Sequence, residues 1–223
     1  MSKLKACINI LSSREKCIKP CIKSLWDHWN HKHDYPVYVY YFDDIYDSEE
    51  FQQEIRAETS ENVYFRSIPY ETPKHIPESE LFYNRNDLWY SRTQFTIARK
   101  GYLHMCHFMT NFYKYPNTDF HEYDYVLSID DESCFNKEVP YDFFEVNFIK
   151  VYLKHYDITP KSQWMKDLLQ DPNADHNFHF FPSGDSYVFK MELFESVEWK
   201  QWMNAINKYG GIYKYRWGDN ILN

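Results

Sequence analysis

A chain of 223 residues, 43% of them hydrophobic, carries ample apolar side chain for a packed core and is long enough for one large domain or two small ones. Its net charge of −8 and the absence of any basic run exclude a general nucleic-acid footprint, which requires a basic face. Aromatic residues reach 20%, with 21 Tyr, 17 Phe and 7 Trp, a load that serves core packing first and sugar-binding clefts or interfaces second.

Lys5 to Leu11 is a short apolar, β-branched run and reads as the first strand. Ser12-Ser13 offers a helix cap, and Arg14-Glu15-Lys16 opens a helix to about Trp29, so the chain starts as an α/β unit. Pro36 to Phe42 is the second strand, closed by Asp43-Asp44. Ser48 to Ala57 reads as a helix and Asn62 to Ile68 as a third strand. A proline-marked loop through Pro73 and Pro77 precedes a long helix, Arg92 to Tyr113, in which Phe95, Ala98, Tyr102, Met105 and Met109 recur at helical spacing. Tyr125 to Ile129 is a buried strand that stops on three acids, Asp130-Asp131-Glu132. Beyond it, Lys150 to His155 suggests a strand and Gln163 to Leu169 a helix. Asn177 to Lys190 reads as aromatic strands around a turn at Pro182-Ser183-Gly184-Asp185. Leu193 to Lys208 reads as a helix stopped by Gly210-Gly211. No repeat or low-complexity linker interrupts the series, which predicts one α/β domain over residues 1–223 with a mixed, mainly parallel sheet flanked by helices.

The acidic strand end is the chemical centre of this pattern. Ligands collect outside the carboxyl ends of strands in α/β sheets, and unpaired buried carboxylates are costly. Strand alternation puts Asp130 and Glu132 on one face with Asp131 pointing away, and a hard ion such as Mn²⁺ or Mg²⁺ between Asp130 and Glu132 would relieve their repulsion. The bland alternative is a strand running out into a solvated acidic turn. Ser12 and Arg14 after the first strand, and Asp43 and Asp44 after the second, are placed to meet a nucleotide, although a lone charge at a helix start is as often simply solvated. Asp185 is a candidate catalytic carboxylate, or a plain residue of a Pro-Ser-Gly-Asp turn.

Other chemistries are set aside. With five glycines there is neither a GxGxxG nor a P-loop, and no GxSxG elbow exists. If a nucleotide binds, no glycine-rich loop holds its phosphates but a metal at the acidic strand end could, a combination that points to sugar-nucleotide chemistry. His104, Cys106 and His107 share one helix, which disfavours a Cys–His nucleophile. His28, His31 and His33 are better read as capping or solvated residues than as a zinc set. The odd cysteine count, without paired CxxC, predicts reduced, mostly buried thiols. Cys17 and Cys21 form either a ligand or redox pair or a coincidence of helix facing. No apolar run approaches the about 20 residues that span a bilayer, and no signal peptide is visible, so the chain as given is expected to be soluble and cytoplasmic.

Three stretches resemble the fungal α-1,2-mannosyltransferases of glycosyltransferase family 15. Tyr102-Leu103-His104-Met105-Cys106-His107-Phe108 is similar to the family's YRHMCRF. Asp130-Asp131-Glu132 stands where the family has Glu-Pro-Asp. His179-Phe180-Phe181-Pro182-Ser183-Gly184-Asp185 and Gly210 to Asp219 resemble HFWSNFE and GGFYYERWGD. Asn30-His31-Lys32 ahead of Tyr35-Pro36 resembles the NHK…YP junction. The resemblance implies a GT-A, Rossmann-like fold and a GDP-mannose-type donor. It further implies Mn²⁺, retention of configuration and a glycan or glycoprotein acceptor. It assigns Asp185 to catalysis, Asp130 and Glu132 to the metal, and Tyr102 and Arg216, with Ser12, Arg14, Asp43 and Asp44, to the donor. His107, Trp217 and Asp219 fall to the sugar and acceptor pocket, Trp217 being equally readable as core filler. Relatives are Golgi lumenal, whereas no anchor is seen here. The chain departs from the family at His107 for Arg, Asp185 for Glu, and Asn220-Ile221-Leu222-Asn223 for APVH. The last departure removes a metal-binding His, substitutes Asn223 for it, or marks a piece of a longer protein. Two rival readings stand: a UDP-sugar transferase of the same fold, moving galactose, xylose or a similar sugar, and a non-catalytic carbohydrate-binding module.

Overall fold

The computed structural model describes residues 4–42, 45–69, 72–84, 99–112, 118–144, 178–180 and 186–215. These fall into two compact units. The first takes in Met1–Ser67 and His121–Leu193, the second Ile68–Phe120 and Phe194–Asn223. Among the described residues no helix is long and apolar enough to cross a membrane.

The first unit is built on a six-stranded sheet. Its strands are β1 (Ala6–Leu11), β2 (Val37–Phe42), β3 (Val63–Ile68), β4 (Tyr125–Asp130), β5 (Phe178–Phe180) and β6 (Ser186–Lys190), in the spatial order 3-2-1-4-6-5. β1 runs parallel to both β2 and β4, and β6 is antiparallel to β4 and β5. The chain winds outward from β1 through β2 to β3, then returns to lay β4 against the other edge of β1. That reversal opens a crevice at the carboxyl ends of β1 and β4, where doubly wound sheets bind ligands. The register pairs Leu11 with Asp130, so the two strands stop at the same level.

Strand alternation sorts the side chains. Ala6, Ile8 and Ile10 of β1, Val37, Val39 and Tyr41 of β2, and Leu127 and Ile129 of β4 face one core. Ile18, Cys21, Ile22 and Leu25 of helix α1 (Glu15–His28) complete it, recurring three and four apart as an amphipathic face requires. Each Ile, Leu or Val among them contributes about 1.5–3 kcal/mol on burial. Trp29 closes the core beneath α1. Its ring lies 4.5 Å from Phe143 and 5.9 Å from Tyr35, and its indole N–H donates to the Tyr141 carbonyl at 2.9 Å, so the polar tip of a fully buried ring is satisfied. Among the described residues, Trp29, Tyr35, Tyr41, Tyr46, Phe65, Phe143 and Phe144 are aromatic side chains buried in this core. Helix α2 (Glu49–Glu58) starts where expected, with Ser48 Oγ accepting from the Phe51 amide.

The start of α1 differs from expectation. Arg14 occupies the N-cap position without a side-chain cap, because the Ser12 hydroxyl is engaged elsewhere. The predicted Leu193–Lys208 helix is also two pieces, α4 (Glu192–Glu195) and α5 (Val197–Tyr209), since Ser196 leaves the helix to accept from the Trp199 amide. Gly210 ends α5 with φ of 75°. A Cβ there would sit 2.6 Å from Ile76 Cδ1, so only glycine fits. Helix α6 (Gly211–Tyr215) follows. The expected helix over 92–113 is seen as α3 (Arg99–Asn111), its first turns lying outside the described residues, as do the predicted strand at 150–155 and helix at 163–169.

The second unit has its own core, in which Leu103 and Cys106 of α3, Met203 and Ile206 of α5, and Ile212 and Tyr213 of α6 meet Ile76, Leu81 and Phe82. His104 is fully buried there and its Nδ1 lies 3.1 Å from the Tyr213 hydroxyl. Burial, with the nearby His107 and Lys100, pushes its pKa down to about 4. The folded chain therefore keeps His104 neutral while the unfolded chain protonates it near its ordinary value. Stability from this site is complete above pH 6.5 and is lost as pH falls from there to 4. Urea titrations should show His104→Asn losing less stability than the unsubstituted chain across that window, by on the order of 3 kcal/mol.

Candidate active site

The crevice at the β1 and β4 ends is filled by one connected polar network. β4 places Tyr125, Leu127 and Ile129 on the core side, and Asp131, next in that alternation, follows them inward. It is only 1% exposed. Its Oδ2 accepts from Ser12 Oγ at 2.6 Å and from Arg14 Nε at 3.3 Å, and its Oδ1 takes Arg14 Nη2. The buried Tyr46 hydroxyl closes the network against Ser12 Oγ at 2.8 Å. Every bond here joins the end of β1 to a segment that follows β2 or β4, which locks the crevice wall.

The strand does not carry its alternation past Asp131. The Ser133 amide donates to the Asp130 carbonyl at 2.9 Å, closing a turn over Asp130–Ser133. Glu132 therefore leaves the strand face that sequence alternation shares out to Asp130 and Glu132. It instead meets Arg14 Nη1. The two acids that share a cation are Asp131 and Glu132, and the cation is a guanidinium of this chain. Asp130 is exposed at the strand end. Burial works against charge on Arg14. The hydrogen bond and charge of Asp131, with smaller help from Asp130, outweigh it and hold Arg14 above its already high pKa. Tyr46 is held above the ordinary phenol value by burial and remains protonated.

The cysteines near this site are not a catalytic set. Cys21 lies in the core with its thiol directed to the Asp130 carbonyl at 3.7 Å, and burial drives its pKa far upward. Cys134 is exposed and Cys17 half-buried. His31 and His33 are engaged locally, His31 Nδ1 with the Trp26 carbonyl at 2.8 Å and His33 with Asp142 at 3.4 Å. Iodoacetamide on the native protein should label Cys134 and leave Cys7, Cys21 and Cys106 unmodified until denaturant is added. Peptide mass mapping checks this.

Of the residues singled out from sequence, Ser12, Arg14, Asp130 and Glu132 come together at the crevice of the first unit. Tyr102 and His107 belong to α3 in the second unit. Tyr102 is half-buried against that unit's core, and the His107 ring lies 5.4 Å from the Tyr213 ring. Asp43, Asp44, Asp185, Arg216, Trp217 and Asp219 lie outside the described residues. Sequence reasoning missed Asp131 and Tyr46. For Asp131 the signal was present, since an acid that continues the buried parity of a strand must have a partner.

A sheet of order 3-2-1-4-6-5 with an acid and arginine cluster at its reversal defines an α/β protein of the GT-A type, the fold of nucleotide-sugar transferases. The chain belongs to glycosyltransferase family 15, described as glycolipid 2-alpha-mannosyltransferase, whose pattern matches residues 1–146. It is 24% identical over 230 aligned positions to the O-glycoside alpha-1,2-mannosyltransferase omh1 of Schizosaccharomyces pombe. That match covers 89% of this chain and 57% of the relative, so the chain spans little more than half of that protein. Core-mannan synthase A of Aspergillus fumigatus, in its Mn/GDP form, superposes with a TM-score of 0.70 at 20% identity, covering 98% of this chain and 68% of that one. The mannosyltransferase Ktr4p of S. cerevisiae in complex with GDP gives 0.67 at 19%, covering 97% and 64%.

Proposed function

We propose that this chain is a catalytic domain, spanning residues 1–223, of a retaining mannosyltransferase that moves mannose from GDP-mannose to a glycan or glycoprotein hydroxyl. One observation carries the reading beyond family membership. Arg14, a cation anchored on a buried carboxylate, stands at the carboxyl ends of β1 and β4, where a donor diphosphate would lie. The mannosyltransferase activity of the relatives and their complexes with GDP supply the donor class.

In this reading Ser12, Arg14, Asp43 and Asp44 hold the donor, a task the family resemblance also assigns to Tyr102 and Arg216. The guanidinium of Arg14 neutralises charge that builds on the departing diphosphate, and its planar fork suits phosphate oxygens. Asp185 is the carboxylate that attacks the anomeric carbon or steadies its oxocarbenium-like state, and His107, Trp217 and Asp219 shape the sugar and acceptor pocket. Asp130 at the strand end and the exposed Glu132 in the turn after it would offer carboxylate oxygens to a hard divalent ion in donor chemistry. Among the described residues no group of three or more His, Cys, Asp or Glu is arranged to hold an ion alone, so Mn²⁺ or Mg²⁺ here would share its shell with diphosphate oxygens and water. When bound, the ion acts as a Lewis acid and template for the leaving diphosphate.

Thermal unfolding with GDP, UDP and their sugars, each with Mn²⁺, tests the donor. GDP should raise the midpoint most, since a ligand at 100-fold its Kd stabilises by about 2.7 kcal/mol. A larger shift with UDP would transfer the reading to a UDP-sugar enzyme, and no shift with any nucleotide would sink it. Donor turnover should fall about 10²-fold or more in Asp185→Asn. In Glu132→Gln the Mn²⁺ stimulation should shrink. Activity like that of the unsubstituted chain in both variants removes these assignments.

A further inference from the structure

We infer that Asp131 is the positioning residue of the donor site, acting through Arg14, which it holds with one edge fixed and the other free to exchange a carboxylate for a phosphate. The inference rests on the nucleotide-sugar reading above and deepens it by giving Asp131 a role in donor binding.

The asymmetry of the two acids around Arg14 carries the argument. Asp131 is 1% exposed, and both its oxygens are satisfied: Oδ1 by Arg14 Nη2, and Oδ2 by Arg14 Nε and by Ser12 Oγ, which Tyr46 in turn supports. A two-point grip of this kind fixes the guanidinium plane as well as its position, and removing water from the grip makes it hard to exchange. Glu132, on the opposite edge, has a side chain 60% exposed, and the Arg14 side chain itself is 39% exposed. Exposed ion pairs are weak and readily replaced. A doubly charged diphosphate arriving at the β1 and β4 ends would therefore take the Glu132 edge of Arg14 and leave the Asp131 edge intact. A tie that only fastened α1 to β4 would not need a guanidinium whose second edge meets an exposed carboxylate.

The test is calorimetric titration of GDP, UDP and guanosine into the metal-free full chain and its variants. Asp131→Asn should weaken GDP binding about tenfold or more and leave guanosine binding unchanged, because only the phosphates meet Arg14. Arg14→Gln should lose a similar factor, and the double variant should lose no more than Arg14→Gln alone, as expected when one residue acts through the other. Glu132→Gln should bind metal-free GDP more tightly, since a competitor for Arg14 is gone. Arg14→Lys, which keeps the charge but not the two-point grip, also covers the case in which Asp131→Asn fails to fold. It should bind GDP about as weakly as Arg14→Gln. Additive losses in the double variant, equal losses of GDP and guanosine, or GDP binding like that of the unsubstituted chain in Arg14→Lys would each overturn the inference while leaving the donor reading in place. An unsubstituted chain that binds neither GDP nor UDP would overturn both.

Discussion

A carboxylate placed inside a protein must find a counter-charge and enough donors for its oxygens, or it destabilises the fold around it. Asp131 meets this demand at the one level of the sheet where β1 and β4 end together, and it does so with Ser12 and Arg14 from the other strand's end. The rest of the first unit can be read as what makes that meeting possible. Leu127 and Ile129 carry β4 through the core on the parity that brings Asp131 inward. Ile18, Cys21 and Leu25 seat α1, whose N-cap residue Arg14 reaches Asp131, and Tyr46 backs the Ser12 hydroxyl.

This arrangement explains why α1 begins without the serine cap its sequence invites. Ser12 Oγ can serve one geometry well. Donating to a buried carboxylate is a stronger, charge-assisted bond than capping an exposed amide, so the hydroxyl goes to Asp131 and accepts a longer bond of 3.3 Å from the Arg14 amide. A local signal loses to a tertiary one because the tertiary partner is charged and dry. The same competition, resolved the other way, appears at Ser48 and Ser196, where no buried acid is near among the described residues and the hydroxyls cap α2, as its sequence suggests, and α5, where the sequence reads as an unbroken helix.

Family membership and local chemistry meet at the middle residue of the acidic triplet. The family's corresponding motif is Glu-Pro-Asp, and a proline there has no charge to place. This chain has an aspartate in that position, with an arginine and a serine after the first strand to receive it. The substitution is compensated within the crevice, and the compensation leaves a fixed guanidinium at the place where the proposed donor's phosphates would arrive.

Periodicity alone determined most of the elements. The strands at 6–11, 37–42, 63–68 and 125–130, the helix spacing of α1, α2 and α3, and the glycine stop after α5 all follow from side-chain alternation, capping and backbone freedom, which act within a few residues. The same local rules located the crevice, since they end a strand on acids and start a helix beside an arginine. Strand order, the turn that takes Glu132 out of alternation, and the pairing of Asp131 with residues 117 and 119 positions away were decided only by the folded chain. Those features depend on which strand ends stop at the same height. Height is set by register across the sheet, and no local pattern encodes it.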